Sequence, residues 1–285
     1  MKKMNGIEAA IGGIIEKARE TNNIVEGDYI GENNLYYCGK CKTSKQCRVT
    51  FAGRERVVPC ICHCKAEAIK QEEEQRQQRA FFERVQRYRR MGFPESDMVN
   101  WTFENDDRRN PKMSDAMQNY VKHFDEFRGK GKGLLLFGNV GTGKTFYAAC
   151  IANALIDRGI PCLVTNFARI ANTVQGLFEG RQEYYDSLNR FPLLLIDDLA
   201  AERKTEYMQE IVFNVIDSRY RAGLPMIVTT NLTRQELTHP ADITYQRTFS
   251  RLFEMCTPIE IDGKDRRCVA LQNDIAGDKR LLGLL

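Results

Sequence analysis

The residues whose types and spacing point most directly to chemistry are Gly138-Asn139-Val140-Gly141-Thr142-Gly143-Lys144-Thr145, which fit the phosphate-loop pattern G-x-x-x-x-G-K-[ST]. They follow the apolar run Leu134-Leu135-Leu136-Phe137 and precede the helix-forming run Phe146-Tyr147-Ala148-Ala149-Cys150-Ile151-Ala152. A strand that ends in a glycine-rich turn and then opens a helix offers several backbone N–H groups, and the positive helix end, to one anion. Gly138, Gly141 and Gly143 let that backbone wrap a phosphate without a Cβ in the way. Lys144 is expected to place a point charge between the β- and γ-phosphates of ATP, and the Thr145 hydroxyl to complete the coordination of Mg²⁺. A chance glycine-rich turn is the competing reading, and the flanking strand and helix argue against it.

Pro192-Leu193-Leu194-Leu195-Ile196-Asp197-Asp198-Leu199 reads as a buried strand ending in two carboxylates. Parallel strands covered on both faces are continuous apolar runs, and ligands gather at their carboxyl ends. Asp197 is therefore expected to hold Mg²⁺ through water, and Asp198 to orient or deprotonate an attacking water. The second acid points to hydrolysis as well as binding; a helix N-cap pair is its bland alternative. The next apolar run, Pro225-Met226-Ile227-Val228-Thr229-Thr230-Asn231, ends in an amide able to donate to the γ-phosphate or to the lytic water. Asn is also common where a strand meets a turn.

A second chemistry is packed near the N-terminus, where six of the ten cysteines fall: Cys38, Cys41, Cys47, Cys60, Cys62 and Cys64. In a reducing compartment these are thiolate ligands and not disulfides. Cys38-Gly39-Lys40-Cys41 has knuckle spacing, and Cys60-Ile61-Cys62-His63-Cys64 brings a second cluster back across a hairpin. Four thiolates around Zn²⁺ organise a segment too short to build its own core. The favoured set is Cys38, Cys41, Cys62 and Cys64, with Cys60 a close substitute and Cys47 or His63 as outsiders. An iron–sulfur cluster is the chemical alternative. Cys150, Cys162, Cys256 and Cys268 lie in apolar runs and read as small core residues.

The elements that must position these groups follow from periodicity. Helical patterns at about 145–158, 167–178, 204–222 and 241–255 alternate with strands at about 133–138, 160–165, 192–197, 224–230 and 257–261. That alternation predicts an α/β three-layer sandwich around a parallel sheet. Lys65 to Arg79 contains no Gly or Pro and predicts a long exposed helix, whose continuation carries Phe81, Phe82, Val85 and Tyr88 as a packing stripe before Met91-Gly92-Phe93-Pro94 breaks it. Three parts result: a helix and zinc module at 1–64, a linking helix at 65–92, and an ATPase domain at 93–285. The chain has 285 residues, 42% hydrophobic, enough for one sizeable core plus a small module. A net charge of +4 is compatible with a local basic groove but proves no nucleic-acid binding. No apolar stretch is long enough to span a membrane. Residues 7–15 follow two lysines but contain Glu8 and run into Glu16-Lys17-Ala18-Arg19-Glu20, which reads as a short amphipathic helix instead of a signal peptide, so a cytoplasmic protein is expected.

Taken together with Arg251 in Thr248-Phe249-Ser250-Arg251-Leu252, these motifs make residues 93 to 271 resemble the AAA+ ATPases, and within them the DnaC-type replicative helicase loaders, including phage-encoded versions. The resemblance implies that Lys144 and Thr145 act as Walker A, Asp197 and Asp198 as Walker B, and Asn231 as sensor 1. It makes Arg251 the arginine finger that reaches the γ-phosphate held by a neighbouring subunit, with Arg247 as competitor and a solvated helix face as the plain alternative. Arg266 and Arg267 are candidates for a sensor 2 contact, although too few residues follow them for a full helical lid. Related loaders carry similar N-terminal cysteine pairs. The segment Trp101-Thr102-Phe103-Glu104-Asn105 matches one that lies near the adenine; core packing is the alternative for Trp101 and Phe103. The stretch Phe178 to Asp186 falls where such ATPases carry an extra helical element that can face single-stranded DNA, with Arg169 and Arg181 on phosphates and Tyr184 or Tyr185 on bases.

The resulting expectation is an ATP-dependent loader whose zinc module grips a hexameric replicative helicase and whose ATPase core couples ATP to single-stranded DNA and to self-assembly. Two other classes compete. A transposition regulator of the IstB type shares the core but acts with a transposase on duplex DNA, and a non-hydrolysing adaptor uses ATP only as a structural ligand. The cysteine-rich module favours the loader over the regulator, and Asp198 with Arg251 disfavours the adaptor.

Overall fold

The computed structural model describes residues 24–51, 53–93, 97–200, 205–240, 242–263, 265, 278–282 and 284. The expected N-terminal helix, Arg266, Arg267, Pro94 and Cys268 lie outside them. Contacts divide the chain into two compact units within a helix, between Phe81 and Phe82.

The first unit is a small β module. Strands β1 (Tyr29–Ile30) and β2 (Tyr36–Tyr37) pair antiparallel, and β3 (Gln46–Phe51) and β4 (Arg54–Pro59) form a hairpin in the register Cys47 opposite Val58. It leads into α1 (His63–Gly92), a 30-residue helix of strong helix formers whose Lys65–Arg79 stretch is almost wholly exposed. The packing stripe expected on it begins late. Val85 is buried and Tyr88 half-buried in the core, whereas Phe81 and Phe82 are 39% and 63% exposed, so among the described residues it is the last two turns that join the core. The helix ends at Gly92, where a Cβ would stand 2.4 Å from the Cys162 carbonyl oxygen.

The second unit is an α/β sandwich. Helices α2 (Pro111–Lys122) and α3 (Phe124–Gly129) precede β5 (Gly133–Phe137), α4 (Lys144–Asp157), β6 (Cys162–Asn166), α5 (Phe167–Gln175), α6 (Arg181–Ser187), β7 (Leu193–Leu199), α7 (Glu206–Arg221), β8 (Met226–Thr230), α8 (Arg234–Thr238), α9 (Ile243–Met255) and β9 (Cys256–Glu260). Among the described residues the five strands form one all-parallel sheet, ordered β6-β7-β8-β5-β9. Alternation within each strand feeds two cores. Leu134, Leu136, Leu193 and Leu195 face α2, α3 and α4, while Leu135, Phe137, Leu194 and Ile196 face α5, α6, α7 and α9. Burying both faces is why β5 and β7 read as unbroken apolar runs. Cys150 on α4, Cys162 on β6 and Cys256 on β9 are buried core residues, as their surroundings in the sequence imply.

Helix α7 carries three consecutive buried polar residues. Asp217 pairs with Arg221 and with Arg251 of α9. The Ser218 hydroxyl donates to Asp186 of α6 at 2.9 Å and accepts from Asn189 at 2.9 Å. Arg219, with no exposed surface, donates to the carbonyls of Pro225, Pro192 and Leu188. These carbonyls lie just before β7 and β8, so one guanidinium fastens the starts of both strands.

Candidate functional site

The phosphate loop leaves β5 at Gly138 and enters α4 at Gly143, whose φ of 98° is left-handed. At Gly138, with φ 126°, a Cβ would stand 2.7 Å from the Ile261 carbonyl, so this crossing beside β9 requires glycine. Lys144 is nearly buried, its ammonium donating to the carbonyls of Gly138 at 2.9 Å and Asn139 at 2.6 Å, and the Thr142 hydroxyl donates to the same Asn139 carbonyl at 3.0 Å. The loop is thus braced by its own side chains, with Lys144 held at the start of α4, where helix N–H groups favour an anion. Asp265 stands beside Gly141, so close that a Cβ there would meet its carboxylate at 1.9 Å.

The acidic end of β7 is shaped by a register shift against β8 between Ile196 and Leu199. There Asp198 adopts φ 62° and Ala200 φ 71°, a left-handed backbone that Asp tolerates better than most side chains. Thr229 of β8 holds the irregular turn: its hydroxyl donates to Asp197 Oδ1 at 2.6 Å and accepts the Asp198 N–H at 2.9 Å. Asn231 then donates to Asp198 Oδ1 at 2.9 Å. Bulges of this kind re-aim side chains at sheet ends.

Lys144, Thr145, Asp197, Asp198 and Asn231 converge on one cavity of about 410 Å³, together with Val140, Gly141, Gly143 and Thr229. Its other wall is Met98, Trp101, Asn105, Asp107 and Phe146, with the Trp101 and Phe146 rings 6.1 Å apart. Trp101 packs against the core and also lines the cavity. Asn153 fixes this wall, since its buried amide donates to the carbonyls of Met98 and Trp101 at 2.8 and 2.9 Å. Neither Thr229 nor Asn153 stood out in the sequence. A lone polar residue inside the apolar runs of β8 and α4 was the available signal. The cavity is ligand-sized, with a polar phosphate end and a flat apolar end.

Other expected residues lie elsewhere. Arg251 does not line this cavity in its own chain; it is paired to Asp217, with its guanidinium 4.5 Å from the Phe213 ring centroid. Arg247, one turn earlier, is exposed and has no ion-pair partner among the described residues. Tyr185 is 5% exposed in the core, which removes it as a base-stacking residue, while Phe178 is fully exposed on the loop before α6.

In the first unit the sulfurs of Cys38, Cys41, Cys62 and Cys64 lie within 4.8 Å of one another, with Cys38–Cys64 and Cys62–Cys64 both at 3.6 Å. Tetrahedral Zn–S bonds of about 2.3 Å place sulfurs about 3.8 Å apart, so this set fits such an ion. Cys47, Cys60 and His63 are not in the cluster; His63 pairs with Glu67 at 3.4 Å. Backbone N–H groups of Cys41 and Lys40 hold the Cys38 thiol below its usual range. The Thr43 hydroxyl, assisted by the N–H groups of Cys64 and Thr43, lowers Cys41 to about 5, while crowding by Cys38, Cys62 and Cys41 pushes Cys64 up to about 12. A cation among these four sulfurs would offset the mutual repulsion of their thiolate forms. Thr43 joins the two halves of the site, sitting 3.1 Å from the Cys41 sulfur while accepting the His63 N–H at 2.9 Å. Asp28 braces the first knuckle by accepting the Gly39 N–H at 3.1 Å and pairing with Lys45.

A family profile described as IstB-like ATP binding protein matches residues 65–270. The chain belongs to that family. This IstB-like protein is 27% identical over 188 residues to the replicative helicase loader DnaI of Bacillus subtilis, covering 61% of this chain and 60% of DnaI. Over 143 residues it is 27% identical to the replicative helicase loader DnaC of Escherichia coli, covering 49% of this chain and 58% of DnaC. An insertion sequence ATP-binding protein of Sinorhizobium fredii is 35% identical over 122 residues, which cover 41% of this chain and 40% of that relative. The IstB-like chain thus matches at most about three-fifths of the length of these relatives. Among solved structures, a crystal structure of DnaI superposes with a TM-score of 0.53 at 25% identity, covering 63% of this chain and 99% of that one. The sandwich of this IstB-like protein is the AAA+ phosphate-loop fold shared with the DnaC-type loaders. No helix among its described residues is long and apolar enough to cross a membrane.

Proposed function

We propose that this protein is a cytoplasmic ATPase that loads a replicative helicase onto single-stranded DNA. The observation that carries the reading is the convergence of Lys144, Thr145, Asp197, Asp198 and Asn231 on one cavity, in a chain whose relatives include two replicative helicase loaders. The loop residues Gly138 to Thr145 take the triphosphate, Lys144 turning from its loop carbonyls to the phosphates, and Met98, Trp101 and Phe146 take the base. Thr145 and Asp197 hold Mg²⁺, which when bound neutralises charge on the phosphates. Asp198, aimed by Asn231, orients the lytic water. Arg251 acts across a subunit boundary on a neighbour's γ-phosphate. Cys38, Cys41, Cys62 and Cys64 hold zinc and shape a module over residues 1–64 that binds the helicase, joined by a helix at 65–92 to an ATPase domain at 93–285.

The second reading, a transposition regulator working with a transposase on duplex DNA, is favoured by the family match and by the insertion-sequence relative. Affinity capture from a bacterial lysate, with and without ATP, separates the two. Recovery of a hexameric helicase is the expected result; recovery of a transposase without helicase moves the protein to the second reading.

A further inference from the structure

We infer that Asp217 is a positioning residue for ATP hydrolysis, holding Arg251 in the pose from which it reaches the nucleotide of a second copy of this chain. The inference rests on the proposed role of Arg251 as an arginine finger. An arginine side chain has many rotamers, and a guanidinium that must meet a developing charge has to be fixed beforehand. Arg251 is fixed from several sides. Its Nη1 is buried against Asp217 Oδ1, and its cation stands over the Phe213 ring at 4.5 Å and near the Tyr220 ring at 5.8 Å. Tyr220 is itself tied to Glu254 through its hydroxyl at 2.6 Å.

Asp217 is the centre of this arrangement. Its side chain is 8% exposed, and its second oxygen pairs with Arg221, whose side chain is 75% exposed. The carboxylate therefore lies between two guanidinium groups, held on a helix whose next residue, Ser218, is bonded to α6 and whose following one, Arg219, is bonded to the starts of β7 and β8. A buried carboxylate on a braced helix is a rigid anchor. Asp217 pairs with Nη1 alone; with that atom fully buried, the 29% exposure of the Arg251 side chain lies on its other atoms, and a guanidinium has five N–H donors of which one carboxylate oxygen engages few. Arg247 has no comparable support; it is exposed and without an ion-pair partner among the described residues.

The test is steady-state ATP hydrolysis by the full chain under assembling conditions, comparing Asp217→Asn, Arg251→Ala, the double variant and Phe213→Leu, with nucleotide affinity and Tm measured for each. Asp217→Asn is expected to lower kcat about tenfold or more while nucleotide Kd and KM change less than about twofold, because it acts through an arginine whose own loss costs far more. In the Arg251→Ala background it should add nothing, whereas a merely structural residue would add its effect. Phe213→Leu leaves the buried carboxylate intact and should lower kcat in the same direction, and it decides the matter if Asp217→Asn does not fold. Wild-type kcat in Asp217→Asn beside an inactive Arg251→Ala, an effect additive with Arg251→Ala, or wild-type kcat in Phe213→Leu where it is the deciding variant, overturns the positioning role and leaves the finger standing. Wild-type kcat in Arg251→Ala itself removes the finger, and Asp217 with it.

Discussion

The side-chain amide of Asn231 lies 2.9 Å from Asp198 Oδ1, joining the tips of β8 and β7 over the mouth of the cavity. The acid proposed to handle water is therefore aimed by the residue proposed to sense the γ-phosphate. Asp198→Asn is expected to bind ATP with near-wild-type affinity and to hydrolyse it about a hundredfold more slowly, since a positioned general base contributes about 10²–10⁴. Asn231→Ala should show a smaller loss of the same kind. Phosphate release beside equilibrium binding of a fluorescent ATP analogue reads both, and equal turnover in Asp198→Asn and wild type would sink the assignment.

Lys144→Ala should behave differently, because it removes charge from the ground state too. Losing a charged hydrogen bond of about 1.5–3 kcal/mol predicts ATP binding about 10- to 100-fold weaker. Loss of turnover with unchanged affinity would contradict the phosphate contact.

Thr229→Val keeps the shape of a residue whose hydroxyl serves both acids at the end of β7, the Asp197 carboxylate and the Asp198 N–H. A buried amide left without its partner costs about 1–3 kcal/mol and a partly buried one less, so urea titration should give a somewhat lower midpoint, with ATP turnover falling alongside it. Thr229→Ser should restore much of both. No difference between Val and Ser would make the hydroxyl irrelevant.

Arg219 predicts a purely structural loss. Arg219→Met abandons the carbonyls of Leu188, Pro192 and Pro225, of which Leu188 and Pro225 belong to buried residues. A destabilisation of about 3 kcal/mol or more is expected, read as a drop in Tm with nucleotide affinity retained below the transition. A Tm within two degrees or so of wild type would mean water or repacking replaces the guanidinium.

The parts of this architecture visible in the sequence are those where one local pattern has one physical outcome. The strands β5, β7 and β8 were marked by apolar runs ending in Gly138, Asp197 and Asn231, because parallel strands bury both faces and present their C-terminal ends to ligands. What escaped were relationships across elements. That Thr229 bridges two acids on another strand, that Asn153 pins the segment carrying Trp101, and that Asp217, Ser218 and Arg219 face inward from an amphipathic helix depend on packing partners distant in sequence. Phe81 and Phe82 differ in the opposite sense: helical spacing predicts burial, and they stay 39% and 63% exposed on α1.

The cysteine module gives a metal prediction. About one zinc per chain is expected by elemental analysis, lost on chelation or in a Cys38→Ser, Cys41→Ser double variant, with ATP binding unchanged. Thr43→Val and Asp28→Ala should weaken zinc affinity about 10- to 100-fold, because the first removes the hydroxyl linking Cys41 to His63 and the second frees the Gly39 N–H and Lys45. A metal-free chain with a fully folded first unit would refute the four-thiolate site.

The core cysteines have a use of their own. Cys162 sits on β6 and Cys256 on β9, the two margins of the sheet, and Cys150 on the helix α4 laid across it. Burial pushes the Cys150 and Cys256 thiols up to about 12 and raises Cys162 too. Alkylating reagents attack the thiolate, so at neutral pH each of these residues reacts only when its own element opens. The chain thus carries three built-in clocks, and the order in which they are labelled, with and without ATP, reports which margin of the fold loosens first and whether nucleotide slows it.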